Sequence, residues 1–323
     1  MSKTMIVATS MGAMLVGLVI VLAVITAVGE RAIERLYPPV GVEVSVGDER
    51  IHARVRGPDD APGVLLIHGA SSNLRDLDSS LGESLAEAGF RVVSVDRPGF
   101  GYSTRQPGRQ FDPSAQAMIL LDAAQALGLE KPIVIGHSWA GAIVMAALVE
   151  HRERVAGGVL IAGVTGHWAG SLGAAYEIAG LAWIGAGFAR TLLLPVGWWV
   201  LDEAVESVAA PQPVPDGYAE RIAARLALRP RTFLINAGDV ERSNEFLQSL
   251  SPRYGSIDRP LMVIHGDADE IVPFWNHGER LAPIVPGIEI HLMPGVGHIP
   301  HHTNRAEVLR VLLPFLGRLS QPR

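Results

Sequence analysis

The sequence predicts an α/β fold, a mostly parallel central sheet flanked by helices, with a helical lid inserted late in the chain. Three observations predict it. Short apolar runs without alternation, at residues 64–67, 92–95, 133–135 and 159–161, read as strands buried on both faces. Helix-length segments at 74–88, 113–127 and 138–150 lie between them, and such strand–helix alternation marks a parallel sheet. The rhythm then stops near Gly163 and resumes only at Pro260.

The elements follow in order. Residues 1–30 precede the rhythm and carry no charge between Met5 and Gly29. A run of about 20 apolar residues spans a bilayer core, so a single N-terminal membrane anchor is expected. The rival is a signal segment cut near Ala27-Val28-Gly29, which would leave a secreted or periplasmic protein. Its apolar stretch is longer than the ~7–15 residues such segments use. Lys3 on one flank and Arg31 with Arg35 on the other leave the orientation open. After Pro38-Pro39, residues 40–46 and 50–55 alternate in the strand period around Gly47-Asp48, which predicts a hairpin.

The interruption after Gly163 is rich in Gly, Ala, Trp and Pro and includes helix-like stretches such as 218–228. A structureless loop of that length is improbable, so an inserted helical subdomain is expected. Strands at 261–264 and 289–293 and a last helix near 303–319 complete the core. The expected division is an N-terminal segment at 1–30, a core at 38–163 and 258–323, and a cap at 164–257.

Composition narrows the function classes. With 48% hydrophobic and 19% charged residues, the chain can bury a large core and is not disordered. Its net charge of −6 is spread out, with no basic block to suggest nucleic acid. There is no cysteine, which excludes disulfides, thiolate catalysis and Cys-ligated zinc.

Ser138 follows a strand and precedes a helix, the position from which a serine is lifted clear of a sheet as a nucleophile. The pattern wanted is G-x-S-x-G; the chain has Gly136-His137-Ser138-Trp139-Ala140 and then Gly141. A base and an orienting acid should lie past later strands, in the order Ser, Asp, His. The 261–264 strand runs into His265-Gly266-Asp267-Ala268-Asp269, which leaves Asp267 and Asp269 as candidate acids. The 289–293 strand runs into Gly297-His298-Ile299-Pro300-His301-His302, which leaves three candidate bases. His301 and His302 are expected at the start of the last helix, facing solvent or lining the pocket. A metal site from these histidines lacks a carboxylate or fourth ligand at useful spacing, so no metal is expected.

With those motifs, His68-Gly69 and Asp96-Arg97-Pro98-Gly99-Phe100-Gly101-Tyr102-Ser103, the chain resembles the α/β-hydrolase superfamily, especially its capped esterase, lipase and C–C hydrolase branches. The resemblance covers roughly residues 40–163 and 258–319 and implies the α/β-hydrolase fold. It implies Ser138, Asp269 and His298 as the triad, and backbone N–H groups of Ala70 and Trp139 as the oxyanion hole. It also implies structural roles for His68 and for the segment from Asp96 to Ser103. Asn73 and Ser71 are left between substrate contact and helix capping.

A serine nucleophile argues against the dehalogenase and epoxide hydrolase branches, which use aspartate. The expected function is hydrolysis of a small-molecule ester, with a hydrophobic acyl group, through an acyl-enzyme and without a cofactor. The apolar lid, with Trp168, Trp183, Trp198 and Trp199, points to that substrate class. Alternatives on the same residues are a C–C bond hydrolase, a perhydrolase or an iminopeptidase. From another class comes a non-catalytic membrane-tethered binding protein that keeps the fold.

Overall fold

The computed structural model describes residues 3–109, 111–168 and 174–321. Residues 1–2 of the N-terminal segment, 169–173 of the insertion and 322–323 at the C-terminus lie outside the described residues. Helix α1 (Lys3–Leu36) leads into strands β1 (Val42–Val46) and β2 (Glu49–Arg56), an antiparallel hairpin turning at Gly47-Asp48. Strands β3 (Gly63–Ile67), β4 (Arg91–Val95), β5 (Ile133–His137), β6 (Gly157–Ile161), β7 (Leu261–Gly266) and β8 (Glu289–Met293) follow. They form one eight-stranded sheet in the order β1-β2-β4-β3-β5-β6-β7-β8, parallel from β4 to β8.

The uniform apolar runs have a simple cause: each strand serves two cores. Leu65 and Ile67 of β3 face one cluster with Val93 and Val134, while Val64 and Leu66 face the other with Val92 and Ile135. The first cluster is closed by helices α4 (Pro113–Ala126) and α5 (Gly141–Glu150). The second is closed by residues of the 75–87 segment and by α12 (Arg305–Leu319), through Leu77, Leu81, Leu312 and Phe315.

Two expected helices are broken, each for a local reason. The 74–88 segment is α2 (Arg75–Leu77), a wide π turn (Asp78–Gly82) and α3 (Glu83–Glu87). The wide turn directs the buried Asp78 at β2, where Arg56 Nε donates to it at 2.8 Å and Arg54 at 3.0 Å. Residues 218–228 form α9 (Tyr218–Arg221) and a 3-10 turn (Ala224–Leu228), split at Ala223 with φ +51°. Asn73 of the core takes the Ile222 carbonyl at 2.7 Å, so that carbonyl is satisfied across the insertion boundary. The last helix is preceded by a separate turn, α11 (Pro300–Thr303), with Asn304 at φ −128° between them.

Between β6 and β7 the chain forms α6 (Ala174–Gly180), α7 (Ala182–Thr191), α8 (Leu193–Ala209), α9 and α10 (Pro230–Leu250). Helix α1 packs on this insertion, with Ile33 and Tyr37 buried against Leu194, Ala223 and Leu226. Thr26 donates to the Thr191 carbonyl at 3.2 Å, and Glu34 pairs with Arg229 at 3.3 Å. From Thr9 to Leu36 α1 is long and apolar enough to cross a membrane.

Candidate active site

Ser138 stands at the C-terminal end of β5 with φ +52°, a left-handed conformation rare for a non-glycine residue. Its carbonyl accepts from Val164 N at 2.9 Å, which ties the turn to the end of β6. The neighbouring glycines explain the imperfect motif. A Cβ at Gly136 would lie 2.7 Å from the Ala140 carbonyl oxygen, and one at Gly141 would lie 2.6 Å from Val164 N. Ala140 itself is fully buried without a clash to accommodate. The close approach of helix to sheet therefore falls at Gly141 rather than one residue earlier.

The structure brings Ser138, His298 and Asp269 together from the ends of β5, β8 and β7. Ser138 Oγ is 2.9 Å from His298 Nε2, and His298 Nδ1 is 2.8 Å from Asp269 Oδ2. Asp269 Oδ1 accepts from the N–H groups of Ile271 at 2.9 Å and Val272 at 2.8 Å, which fixes the carboxylate plane. Burial pushes the Asp269 carboxyl up, but hydrogen bonds from His265, His298 and Val272 N–H outweigh it and hold the group below its usual range. Burial lowers His298 from its ordinary value, partly offset by Asp269. The arrangement can pass a proton from the serine hydroxyl to imidazole and stabilise the resulting cation.

The rival residues fall elsewhere. Asp267 is exposed and accepts from Gly295 N at 2.6 Å, a turn-forming role. The expectation that His301 and His302 face solvent or line the pocket fails. His301 is fully buried, and both rings point at Asp76, at 3.2 and 2.8 Å. The residues between Pro300 and Thr303 form their own short helix, which turns these rings inward beneath His298.

Ala70 and Trp139 both border a cavity of about 630 Å³ that opens over Ser138. The loop carrying Ala70 is braced from several sides. His68 Nδ1 donates to the Gly69 carbonyl at 2.8 Å while its Nε2 accepts from Arg97 N at 3.0 Å. Burial keeps that imidazole neutral, down to about 3. Asp96 accepts from Leu74 N at 2.7 Å, Tyr102 N at 2.8 Å and His52 Nδ1 at 2.7 Å, so its segment organises the loop as a scaffold. Asn73 and Ser71 are likewise structural: Asn73 accepts from Arg75 N at 3.1 Å, and Ser71 N donates to Asn236 at 2.9 Å.

Sequence reasoning missed Asn236, Asp239 and Arg105, while Arg97 lies in the segment expected to be structural. Arg97 lies fully buried, donates to the Gly69 carbonyl at 3.1 Å and sits 4.1 Å from the Trp139 ring centroid. Burial pulls its guanidinium down to about 9, with Asp239 opposing the shift. Asp239 and Asn236 both come from α10 of the insertion, so this helix grips the loop under the cavity. Their one sequence signal is polarity on an otherwise inward face, legible only once the partner elements are known.

Comparison with known proteins agrees with this architecture. A family model described as the alpha/beta hydrolase family matches residues 64–311. A protein of Variovorax paradoxus (strain S110) assigned as the carbamate hydrolase RutD is 28% identical over 279 residues, 84% of this chain and 98% of the relative. The 2-hydroxymuconate semialdehyde hydrolase of Pseudomonas putida is 25% identical over 291 residues, 87% of this chain and 95% of the relative. Among solved structures, a membrane phospholipase A superposes with a TM-score of 0.68 at 22% identity, covering 100% of both chains. A thermophilic esterase from Thermogutta terrifontis superposes with a TM-score of 0.70 at 20% identity, over 87% of this chain and 100% of its own.

Proposed function

The chain belongs to the alpha/beta hydrolase family, and from that premise we propose that it is a serine hydrolase cleaving carboxylic esters of hydrophobic acyl groups at a membrane surface. The observation that carries this reading is the continuous contact from Ser138 through His298 to Asp269, at 2.9 and 2.8 Å. Ser138 Oγ attacks the ester carbonyl as His298 Nε2 takes its proton, and Asp269 stabilises the imidazolium. The N–H groups of Ala70 and Trp139 receive the oxyanion. His298 returns the proton to the departing alcohol, leaving an acyl-enzyme. Water activated by His298 then releases the acid and restores Ser138.

Two features support a hydrophobic acyl group. The cavity over Ser138 has Trp168, Val164, Val240, Ile271, Val272 and Trp275 among its lining residues, beside Glu270, His277 and Arg280. The insertion acts as a cap whose α7–α8 pair turns apolar side chains outward: Trp183 is 92% and Trp199 88% exposed, with Ile184, Val196 and Val200 nearby in sequence. Residues 181–201 hold a single charge, Arg190.

Helix α1 supports the membrane setting. Every described side chain from residue 5 to residue 21 is exposed, a stretch about 26 Å long at ~1.5 Å per residue. That approaches the ~30 Å of a bilayer core. From Thr26 to Ile33 the same helix is packed on the cap, with Tyr37 just past its end, so where the free stretch ends, α7 and α8 begin. A retained anchor thus sets the exposed tryptophans at the lipid surface, where such rings are favoured.

The relatives named as a carbamate hydrolase and as a 2-hydroxymuconate semialdehyde hydrolase motivate a second reading, in which the same serine attacks a ketone or carbamate carbonyl. The test is a panel of acetyl to palmitoyl esters, a carbamate and a ring-cleavage ketone, with Ser138→Ala as control. Loss of turnover and of fluorophosphonate labelling in Ser138→Ala, with preference for long acyl chains, is expected. Undiminished turnover in that variant removes the serine mechanism, and preference for acetyl esters or the ketone removes the lipid-like substrate.

A further inference from the structure

Directly beneath the main chain of His298 lies a second cluster of acid and imidazoles that the proposed reaction does not use. Asp76 on α2, His137 at the end of β5 and His301 on α11 are all buried, and one ligand atom from each lies within 4.8 Å of the other two. We propose that Asp76, His137 and His301 form a binding site for a divalent transition-metal ion of the zinc type.

The hydrogen-bond geometry carries the argument. His137 Nε2 lies 3.1 Å from the His298 carbonyl oxygen, which can only accept, so that nitrogen holds a proton. In a neutral ring the opposite nitrogen, Nδ1, is then a bare lone pair. It faces Asp76 Oδ2 at 3.1 Å. A lone pair and a carboxylate oxygen at that distance need a cation between them, either a proton or a metal ion. An imidazole that donates one N–H to a backbone carbonyl while its other nitrogen faces a carboxylate is the arrangement of a metal ligand with its supporting partner.

The other members surround the same carboxylate. His301 Nε2 lies 3.2 Å from Asp76 Oδ1, and its Nδ1 has no hydrogen-bond partner among the described residues. Binding the ion through Nε2 moves its proton to Nδ1, an N–H that meets no acceptor among the described residues. His302 Nε2 donates to Asp76 Oδ1 at 2.8 Å and holds the carboxylate in place. Two imidazoles and a carboxylate suit zinc among the common divalent ions. Metal entry displaces the proton between His137 Nδ1 and Asp76 Oδ2 to solvent, and the ion leaves its oxidation state unchanged.

The expectation of no metal rested on the lack of a carboxylate near the histidine run. The fold supplies one from 225 residues away. The ion would join the segment after the Ala70 loop, the strand end before Ser138 and the helix after His298, three pieces that together set the base.

The test uses the full chain, stripped with a chelator, passed over a desalting column and titrated with Zn²⁺ alone. One Zn²⁺ retained per chain is expected, with X-ray absorption reporting imidazole nitrogens and carboxylate oxygen. His301→Gln should lose the stoichiometric ion, and His302→Gln should weaken it roughly 10–100-fold as an outer partner. His298→Gln should retain it, which separates this site from the proposed hydrolytic one. No retained Zn²⁺ in the wild type, equal retention in His301→Gln, loss in His298→Gln or an all-oxygen shell would each overturn the proposal. The absorption measurement on the wild type decides the matter even where a variant fails to fold.

Discussion

Asp239 on α10 accepts both terminal nitrogens of Arg105, at 2.7 and 2.9 Å, with both side chains withdrawn from solvent. Arg97 adds a third contact to the same carboxylate at 3.2 Å and Gln116 a fourth at 3.0 Å. Since Arg97 also holds the Gly69 carbonyl, one end of the insertion is fastened to the loop that carries Ala70. Asp239→Asn leaves two buried guanidinium groups uncompensated and should cost roughly 3–5 kcal/mol of unfolding free energy. Urea denaturation measures this, and a change no larger than the ~0.5 kcal/mol of a surface substitution would contradict it.

The glycine requirement in the serine turn is equally checkable. Gly141→Ala places a Cβ 2.6 Å from Val164 N, backbone that cannot swing aside, and should destabilise by about 1–3 kcal/mol as overpacking does. Ala140→Gly, at the motif position usually written as glycine, meets no such contact. It should cost only the ~0.5–1 kcal/mol of added chain entropy. Thermal melts of the two variants side by side give the comparison, and equal effects would refute the assignment of the close approach.

Acid should impair both activity and stability. His298 is lowered from its ordinary 6.5, so the base stays neutral into mildly acidic solution and the acid limb of kcat/KM falls below that value. Asp269→Asn removes a partner that raises His298, which moves the limb further down while cutting kcat by about 10⁴-fold. An upward move of the limb in that variant would count against the pairing.

For stability the sign follows from buried neutral imidazoles. His68 and His277 are lowered by burial to about 3 and about 4, so between pH 6.5 and those values the unfolded chain binds more protons. Their contribution is therefore present above 6.5 and is lost as pH falls towards 4. Asp269, depressed below its unfolded value, adds to the loss at lower pH still. Urea midpoints at graded pH should decline across this window, and a flat profile would show that these imidazoles are not buried neutral.

The cap surface offers a separation of two activities. Replacing Trp183 and Trp199 together by serine should lower hydrolysis of a long-chain ester embedded in vesicles while leaving a soluble short ester unaffected. Both rings are almost fully exposed and lie outside the cavity over Ser138, so the soluble reaction has no contact to lose. Equal loss on both substrates would assign the tryptophans to folding rather than to lipid contact.

Much of this was legible along the chain because the signals are local. A strand buried on both faces writes itself as an apolar run, as at residues 64–67 and 133–135, and a serine between strand and helix stands out at Ser138. Order along the chain also placed Asp269 and His298 as candidates, because parallel strands deliver their ends to one edge of the sheet.

Other features depend on partners that no local pattern names. Whether residues 218–228 continue as a helix was decided by Asn73 reaching Ile222, and whether His301 faces water was decided by Asp76, hundreds of residues away. The grip of Asp239 on Arg97 and Arg105 has the same character. Periodicity records which side of an element is buried, since burial is a property of one residue and its own backbone. Pairing is a property of two residues, and only the packed structure decides which polar groups meet.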